Sequence, residues 1–158
     1  MDLRYWDSNC FLGWLLEEAD KADECRAVLE EAKAGRIVLV TSALTLAEVV
    51  KLGKGKDPIP AGDATKIRDF FKQEYVEVRN LDRFVAEDAR NLVWDKAGLH
   101  PKDTVHLATA LRLRLRLFNT FDDDLLKLSG TLGVPPMVIR RPSLPQEKLP
   151  LEDASGTP

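Results

Sequence analysis

Residues 37–49 read I-V-L-V-T-S-A-L-T-L-A-E-V. The run I-V-L-V-T at 37–41 is apolar, rich in β-branched residues and unbroken, which predicts a strand covered on both faces. Ser42 offers a side-chain oxygen to the free N–H groups at the head of a helix, expected over residues 43–52. This helix is apolar nearly all round. Glu48 is its only charge before Lys51, with Leu44 and Leu52 one turn away on either side. Glu48 is therefore expected to face protein rather than water. A buried lone carboxylate costs several kcal/mol unless a cation or hydrogen-bond donors compensate it. Two roles fit: a core Glu paired with Arg or Lys, or a metal ligand.

The same strand-then-helix unit repeats on both sides of this stretch. Short apolar runs predict strands at 3–6, 76–78, 117–120 and 137–139. Between them lie helical patterns: the run 10–16, the stripe Ala22, Cys25, Val28, Leu29 and Ala32 stopped by Gly35, and the group Ala64, Ile67, Phe70 and Phe71. Further on come the stripe Phe84/Val85, Ala89, Leu92/Val93, a helix opened by Pro101, and a short one over 122–129. Residues 111–118, L-R-L-R-L-R-L-F, must switch from helix to strand with no glycine to mark the point, which is placed near Arg114. The alternation predicts an α/β fold: a three-layer α/β/α domain around a central parallel sheet of about five strands.

With 158 residues the chain suits one domain, and its 44% hydrophobic content suffices for a core. The net charge of −3 argues against a polybasic nucleic-acid coat or a membrane-surface binder. Cys10 and Cys25 are too few for a disulfide framework or a four-thiolate zinc site, and suit a reducing compartment. The longest uncharged stretch, 128–139, has 12 residues and two prolines, short of the roughly 18 a membrane span needs. The N-terminus meets Asp2 too early for a signal peptide, so the expected location is the cytoplasm. Residues 1–140 are expected to form the domain. Residues 141–158, with four prolines in 18 positions, form a tail too polar to offset its ordering entropy.

Open parallel sheets place working groups at the carboxyl ends of their strands. Four acids fall on that edge: Asp7 after the first strand, Glu48 after the second, Asp103 in the first turn of the Pro101 helix, and Asp122 after the fourth. Each has an ordinary reading. Asp103 suits a helix dipole, Asp7 a turn, and Asp122 to Asp124 a solvated helix start. Four carboxylates converging on one place repel, so without a cation at least one stays protonated. A hard divalent ion such as Mg²⁺ or Mn²⁺ takes oxygen ligands and lets them coexist.

Four blocks carry a family likeness: Y-W-D-S-N-C-F-L (5–12), T-S-A-L-T-L-A-E-V (41–49), K-D-T-V-H-L-A-T-A (102–110) and N-T-F-D-D-D-L (119–125). In this order, with 41, 55 and 19 residues between the acids, they resemble the blocks of the PIN-domain family over residues 1–140. The resemblance implies a strand order 3-2-1-4-5 and a Mg²⁺- or Mn²⁺-dependent ribonuclease of the VapC toxin type. RNA would be its substrate, an antitoxin a partner and a homodimer its assembly. It implies that Asp7, Glu48, Asp103 and Asp122 are the acidic quartet, Asp124 an additional acid, and Asn9 and Thr120 polar residues that order the site. The sequence departs from the family pattern at Arg4, where an apolar residue is usual, and at Trp6.

Other features have a place in this scheme. Phosphate contacts are expected from Lys51, Lys54 and Lys56 or from Arg112, Arg114 and Arg116, solvated charge being the plainer reading. Phe11, Trp14, Leu15, Phe70 and Phe71 read as core, or as a docking groove where exposed. His106, three residues beyond Asp103, reads as a structural histidine, with a proton shuttle as the alternative. The competing functions are a non-catalytic RNA- or protein-binding module, a housekeeping RNA-processing nuclease, and a phosphatase. The last lacks its second acid, since the run is Asp7-Ser8-Asn9-Cys10-Phe11.

Overall fold

The computed structural model of the protein describes residues 1–49 and 58–143. Five strands form one all-parallel sheet: β1 (Asp2–Trp6), β2 (Ile37–Ser42), β3 (Val76–Arg79), β4 (Leu117–Asn119) and β5 (Val138–Arg140). Their order is β3-β2-β1-β4-β5, which is the 3-2-1-4-5 arrangement expected. The helices are α1 (Ser8–Leu15), α2 (Ala19–Lys33), α3 (Ala43–Glu48), α4 (Ala61–Phe70), α5 (Arg83–Asp95), α6 (Pro101–Arg112) and α7 (Asp123–Leu126).

Strand side chains alternate between two cores, as a period of two requires. Trp6 and Leu39 point to one face, where they meet Cys10, Phe11, Cys25, Val28 and Leu29 of α1 and α2, with Ile67 and Phe70 of α4 packed alongside. Tyr5, Val40, Phe118 and Ile139 point to the other, against Leu107 and Ala110 of α6 and Leu125 of α7. Tyr5 lies opposite Val40 on β2 and Phe118 on β4, so the middle of the sheet is sealed on both sides of β1.

Arg4, the residue out of keeping with a central strand, is 4% exposed. Its Nε donates to Asp2 (3.0 Å) and its Nη1 to the Ser143 carbonyl (2.9 Å). Asn119 Nδ2 reaches the Arg141 carbonyl (3.4 Å), and the Arg141 guanidinium pairs with Glu24 (2.9 Å). Contacts thus continue beyond Arg140 to Ser143. Residues 144–158, the remainder of the stretch expected as a mobile tail, lie outside the described residues, as do Lys51, Lys54 and Lys56.

The strands shift by a residue at their ends, and three helices differ from expectation by two residues or more. Helix α1 begins at Ser8 rather than Cys10, because Asp7 caps it. Helix α3 ends at Glu48 rather than at residue 52, since Val49 (φ −85°, ψ 66°) has left the helical region. Helix α7 is shorter than 122–129: Asp122 is its N-cap, and after Leu126 the chain tightens into bonds from Leu128 N–H to Leu125 and from Ser129 N–H to Leu126. Among the described residues no helix is long and apolar enough to cross a membrane.

The helix-to-strand switch falls at Arg114, as placed. Leu115 N–H bonds to the Ala110 carbonyl and Arg114 N–H to that of Leu111, both at 3.0 Å. This is a Schellman ending, which requires a left-handed residue at Arg114, and its φ is 53°. Helix α2 ends in the same way at Gly35 (φ 76°), where no Cβ opposes the turn. A side chain in this region costs roughly 1–2 kcal/mol. Arg114→Gly is therefore expected to stabilise the protein by about 1 kcal/mol after the added freedom of the unfolded chain is subtracted. Thermal denaturation should show a midpoint about 2–4 °C higher; a lower midpoint contradicts this account of the helix end.

Candidate active site

The carboxyl edge of the sheet receives one acid from each of four joins between elements. Asp7 follows β1 directly and caps α1, with Oδ1 accepting the Cys10 N–H at 3.2 Å. Its other oxygen accepts the Thr120 hydroxyl at 2.5 Å. Asp7 is 2% exposed and has no lysine or arginine in ion-pair contact among the described residues. Burial pushes its pKa up, against the opposing pull of the Thr120 hydroxyl, the nearby His106 and the Cys10 N–H.

Thr120 follows β4 and joins two of the acids. It donates to Asp7 while its oxygen accepts the Asp122 N–H at 3.0 Å. Asp122 in turn caps α7 through Oδ1, which accepts the N–H groups of Asp124 (2.9 Å) and Leu125 (3.1 Å). Two candidate acids therefore double as helix caps. This is economical chemistry, because a helix N-terminus favours negative charge whether or not a cation is present.

Asp103 sits in the first turn of α6, half-buried, and accepts no hydrogen bond among the described residues. Its pKa is raised by burial first, then by the negative charge of Asp122 and, more weakly, of Glu48, with His106 and His100 opposing. Glu48 closes α3 and faces the same helix. Its Oε2 lies 2.7 Å from His106 Nε2, and His106 Nδ1 lies 2.7 Å from the Tyr5 hydroxyl. Burial acts to raise the Glu48 pKa. The His106 hydrogen bond and charge, the Ser8 hydroxyl and the Lys102 ammonium outweigh it and hold the carboxyl below its ordinary value.

Glu48 therefore does face protein, but its partner is a histidine rather than Arg or Lys. His106, 2% exposed, stands among the acids, since its charge bears on Asp7, Glu48 and Asp103 alike. Tyr5, Ser8, His100 and Lys102 are neighbours of the acids that sequence reasoning passed over. Lys102 and His100 flank Asp103 in the sequence and were visible there. The Tyr5 contact depends on a strand and a helix 101 residues apart and had no local signal.

The remaining candidates scatter. Asn9 is exposed on α1 and makes no hydrogen bond to an acid among the described residues. Asp124 is exposed and pairs with Lys127 (3.3 Å), the residue that follows its own helix. Arg112, Arg114 and Arg116 lie at or beyond the C-terminal end of α6. That end is about 13 Å along the helix from Asp103, at the opposite edge of the sheet. Distance from the acids removes them as contacts to a phosphate at this site; Arg112 instead pairs with Asp88 at 2.7 Å. Of the apolar candidates, Phe11 and Leu15 are core, while Phe70 and Phe71 pack half-buried on Phe11. Trp14 is partly open and lines a cleft with Ala22, Arg26 and Lys66.

Among the described residues, no three His, Cys, Asp or Glu side chains stand close enough to hold a metal ion together. The donor set nonetheless suits a hard divalent cation. Mg²⁺ binds through one or two carboxylates and keeps several waters, so it does not need a cage of protein ligands. The charge of Asp122 opposes ionisation of Asp103, and a cation bound by these carboxylates would relieve that opposition. All the candidate donors are oxygens, the ligand type Mg²⁺ and Mn²⁺ prefer.

Comparison with known proteins bears on the fold that carries these residues. The chain superposes on VapBC2 from Rickettsia felis bound to a DNA fragment from their promoter, with TM-score 0.61 and 15% identity over 88% of this chain and 98% of that one. It also superposes on DNA-bound VapBC from Salmonella typhimurium, with TM-score 0.57 and 19% identity over 88% and 97%. At these identities the likeness is one of fold. No curated protein matches the sequence. The PIN-domain family model matches residues 4–130, which span β1 to the turn after α7 and include all four acids. The chain belongs to the PIN-domain family.

Proposed function

We propose that the protein is a Mg²⁺- or Mn²⁺-dependent endoribonuclease and the toxin of a toxin–antitoxin pair, acting in the cytoplasm. The observation that carries this reading is Asp103: a half-buried carboxylate with no hydrogen-bond partner among the described residues, facing the charges of Asp122 and Glu48. A fold stabilised by packing alone gains nothing from that arrangement. A site that awaits a cation does.

In this reading Asp7, Asp103 and Asp122 would hold the ion, Asp7 and Asp122 being tied together through Thr120, with Asp124 two residues beyond Asp122. The ion would supply charge neutralisation at the phosphoryl oxygens and would lower the pKa of water. Glu48 accepts a hydrogen bond from the attacking water and sets its direction toward phosphorus. Lys102, whose charge is felt at Glu48, supplies an ammonium for the RNA backbone. Asn9, exposed at the start of α1, would contact substrate in this reading rather than order the acids.

Partners follow from the same family. The two superposed structures are complexes of VapB with VapC, which supports an antitoxin for this chain. The cleft lined by Trp14 and Lys66 is a candidate seat for it. A homodimer completes the reading, supported by the family likeness.

The test is cleavage of single-stranded RNA with Mg²⁺, with Mn²⁺, and with chelator. Internal cuts in the first two and none in the third are expected. Cleavage that persists in chelator overturns the metal mechanism. No cleavage in any condition, with no heat of Mn²⁺ binding, leaves the binding-module alternative as the better description.

A further inference from the structure

The bonds around Glu48 close a ring. Ser42, the N-cap of α3, donates its backbone N–H to the Tyr5 hydroxyl at 3.1 Å. The Tyr5 hydroxyl meets His106 Nδ1, and His106 Nε2 meets Glu48, the last residue of the same helix. Both ends of a six-residue helix are thus tied to one Tyr–His pair. A helix so short has little intrinsic stability, and its final residue is where fraying starts.

The pair itself is held from several sides. The Tyr5 ring stacks on Phe118 (4.7 Å, 15°) and meets the His106 ring edge-on (5.8 Å, 65°). Neither residue is more than 2% exposed. The Tyr5 oxygen accepts the Ser42 N–H and also bonds His106 Nδ1. Whether the ring is neutral with its hydrogen on Nε2 or carries both protons, Nε2–H is donated to Glu48 while Nδ1 bonds the Tyr5 hydroxyl.

We propose that Tyr5 and His106 are positioning residues that fix the Glu48 carboxylate at the site by one oxygen, through hydrogen bonds running from Tyr5 to His106 to Glu48. The inference rests on the nuclease reading above for its catalytic consequence but not for its structural one. A histidine that merely filled space would not connect the two ends of α3. Outer partners of this kind are worth about 10–100-fold in metal affinity or activity when removed.

The experiment compares wild type with His106→Leu, His106→Gln and Tyr5→Phe. It reads kcat and KM for RNA, Mn²⁺ affinity by calorimetry, and hydrogen exchange of the α3 amides. His106→Leu is expected to lower kcat about 10–100-fold with little change in KM, and to speed exchange at Glu48 and Val49. Gln has an oxygen to accept from Tyr5 and an amide to donate to Glu48, so it should recover most of both losses. Tyr5→Phe keeps shape and fold while removing the hydroxyl, and should speed the same amides. If Leu and Phe leave kcat and exchange at wild-type values, or if Gln does no better than Leu, the proposal is overturned. If the wild type neither cleaves RNA nor binds Mn²⁺, the nuclease reading fails; the exchange data then decide the positioning claim independently, unchanged rates sinking it.

Discussion

Asp7→Asn is expected to lower metal-dependent RNA cleavage by about 10²–10³-fold and to leave the folded protein as stable as wild type or more so. The activity loss follows from charge. A catalytic ion contributes several kcal/mol of transition-state stabilisation, and each 1.36 kcal/mol lost is about tenfold in rate. The stability outcome follows from burial. Asp7 is 2% exposed, and its ionised form is disfavoured there. Asn keeps an oxygen for the Cys10 N–H, and Asn caps a helix about as well as Asp. The change does set an amide donor against Thr120, whose hydroxyl must turn; one hydrogen bond rearranged is worth about 1 kcal/mol. That cost is offset by relief of the buried charge. Cleavage rate and denaturation midpoint measured on the same preparation decide the matter. An inactive protein that melts well below wild type indicates a structural role for Asp7. An active one removes Asp7 from the site.

The fold was legible because its signals are local. A β-branched run, a capping serine and a glycine stop each act within a few residues, and together they located β2, the start of α3 and the end of α2 before any tertiary contact was known. The end of α6 was legible only by elimination, since Arg114 occupies a backbone region that a glycine usually announces. The site was legible in part. The positions of the acids follow from strand ends, and the expectation that Glu48 is turned inward followed from its apolar neighbours. What those acids touch did not follow. The hydroxyl–imidazole–carboxylate contacts join β1, α6 and α3, and Thr120 joins β1 to the start of α7. Such pairings are set by sheet order and helix docking, which no window of sequence encodes. The arginine triplet shows the same limit in reverse: its alternation was visible, but only the direction of α6 places it at the far edge.

The opposing pKa shifts at the site make a second large effect, seen in how thermal stability responds to pH and to divalent ions. Asp7 and Asp103 have folded values raised above the ordinary 3.8. Between the unfolded and folded values the native state holds more protons, so stability falls as pH rises through that window. The penalty is absent below about 3.8 and complete above the folded values. Glu48 has the opposite sign. Its folded value lies below the ordinary 4.5, so its contribution is fully present above that pH and is lost as pH falls through the folded value. From pH 4.5 upward the Glu48 contribution is constant, and the site's own effect is the loss from the two aspartates. Mn²⁺ competes with those protons, so its effect grows over the same range. At about 100 times its dissociation constant it adds roughly 2.7 kcal/mol, a midpoint shift of roughly 5–10 °C for a chain of this size. Denaturation scans at pH 4.5 and pH 8, with and without Mn²⁺ at matched ionic strength, are expected to show the larger shift at pH 8. Asp103→Asn should remove most of that shift and flatten the metal-free dependence on pH. A midpoint indifferent to Mn²⁺ at pH 8 means that these carboxylates tolerate one another without a cation, and the metal site goes with that result.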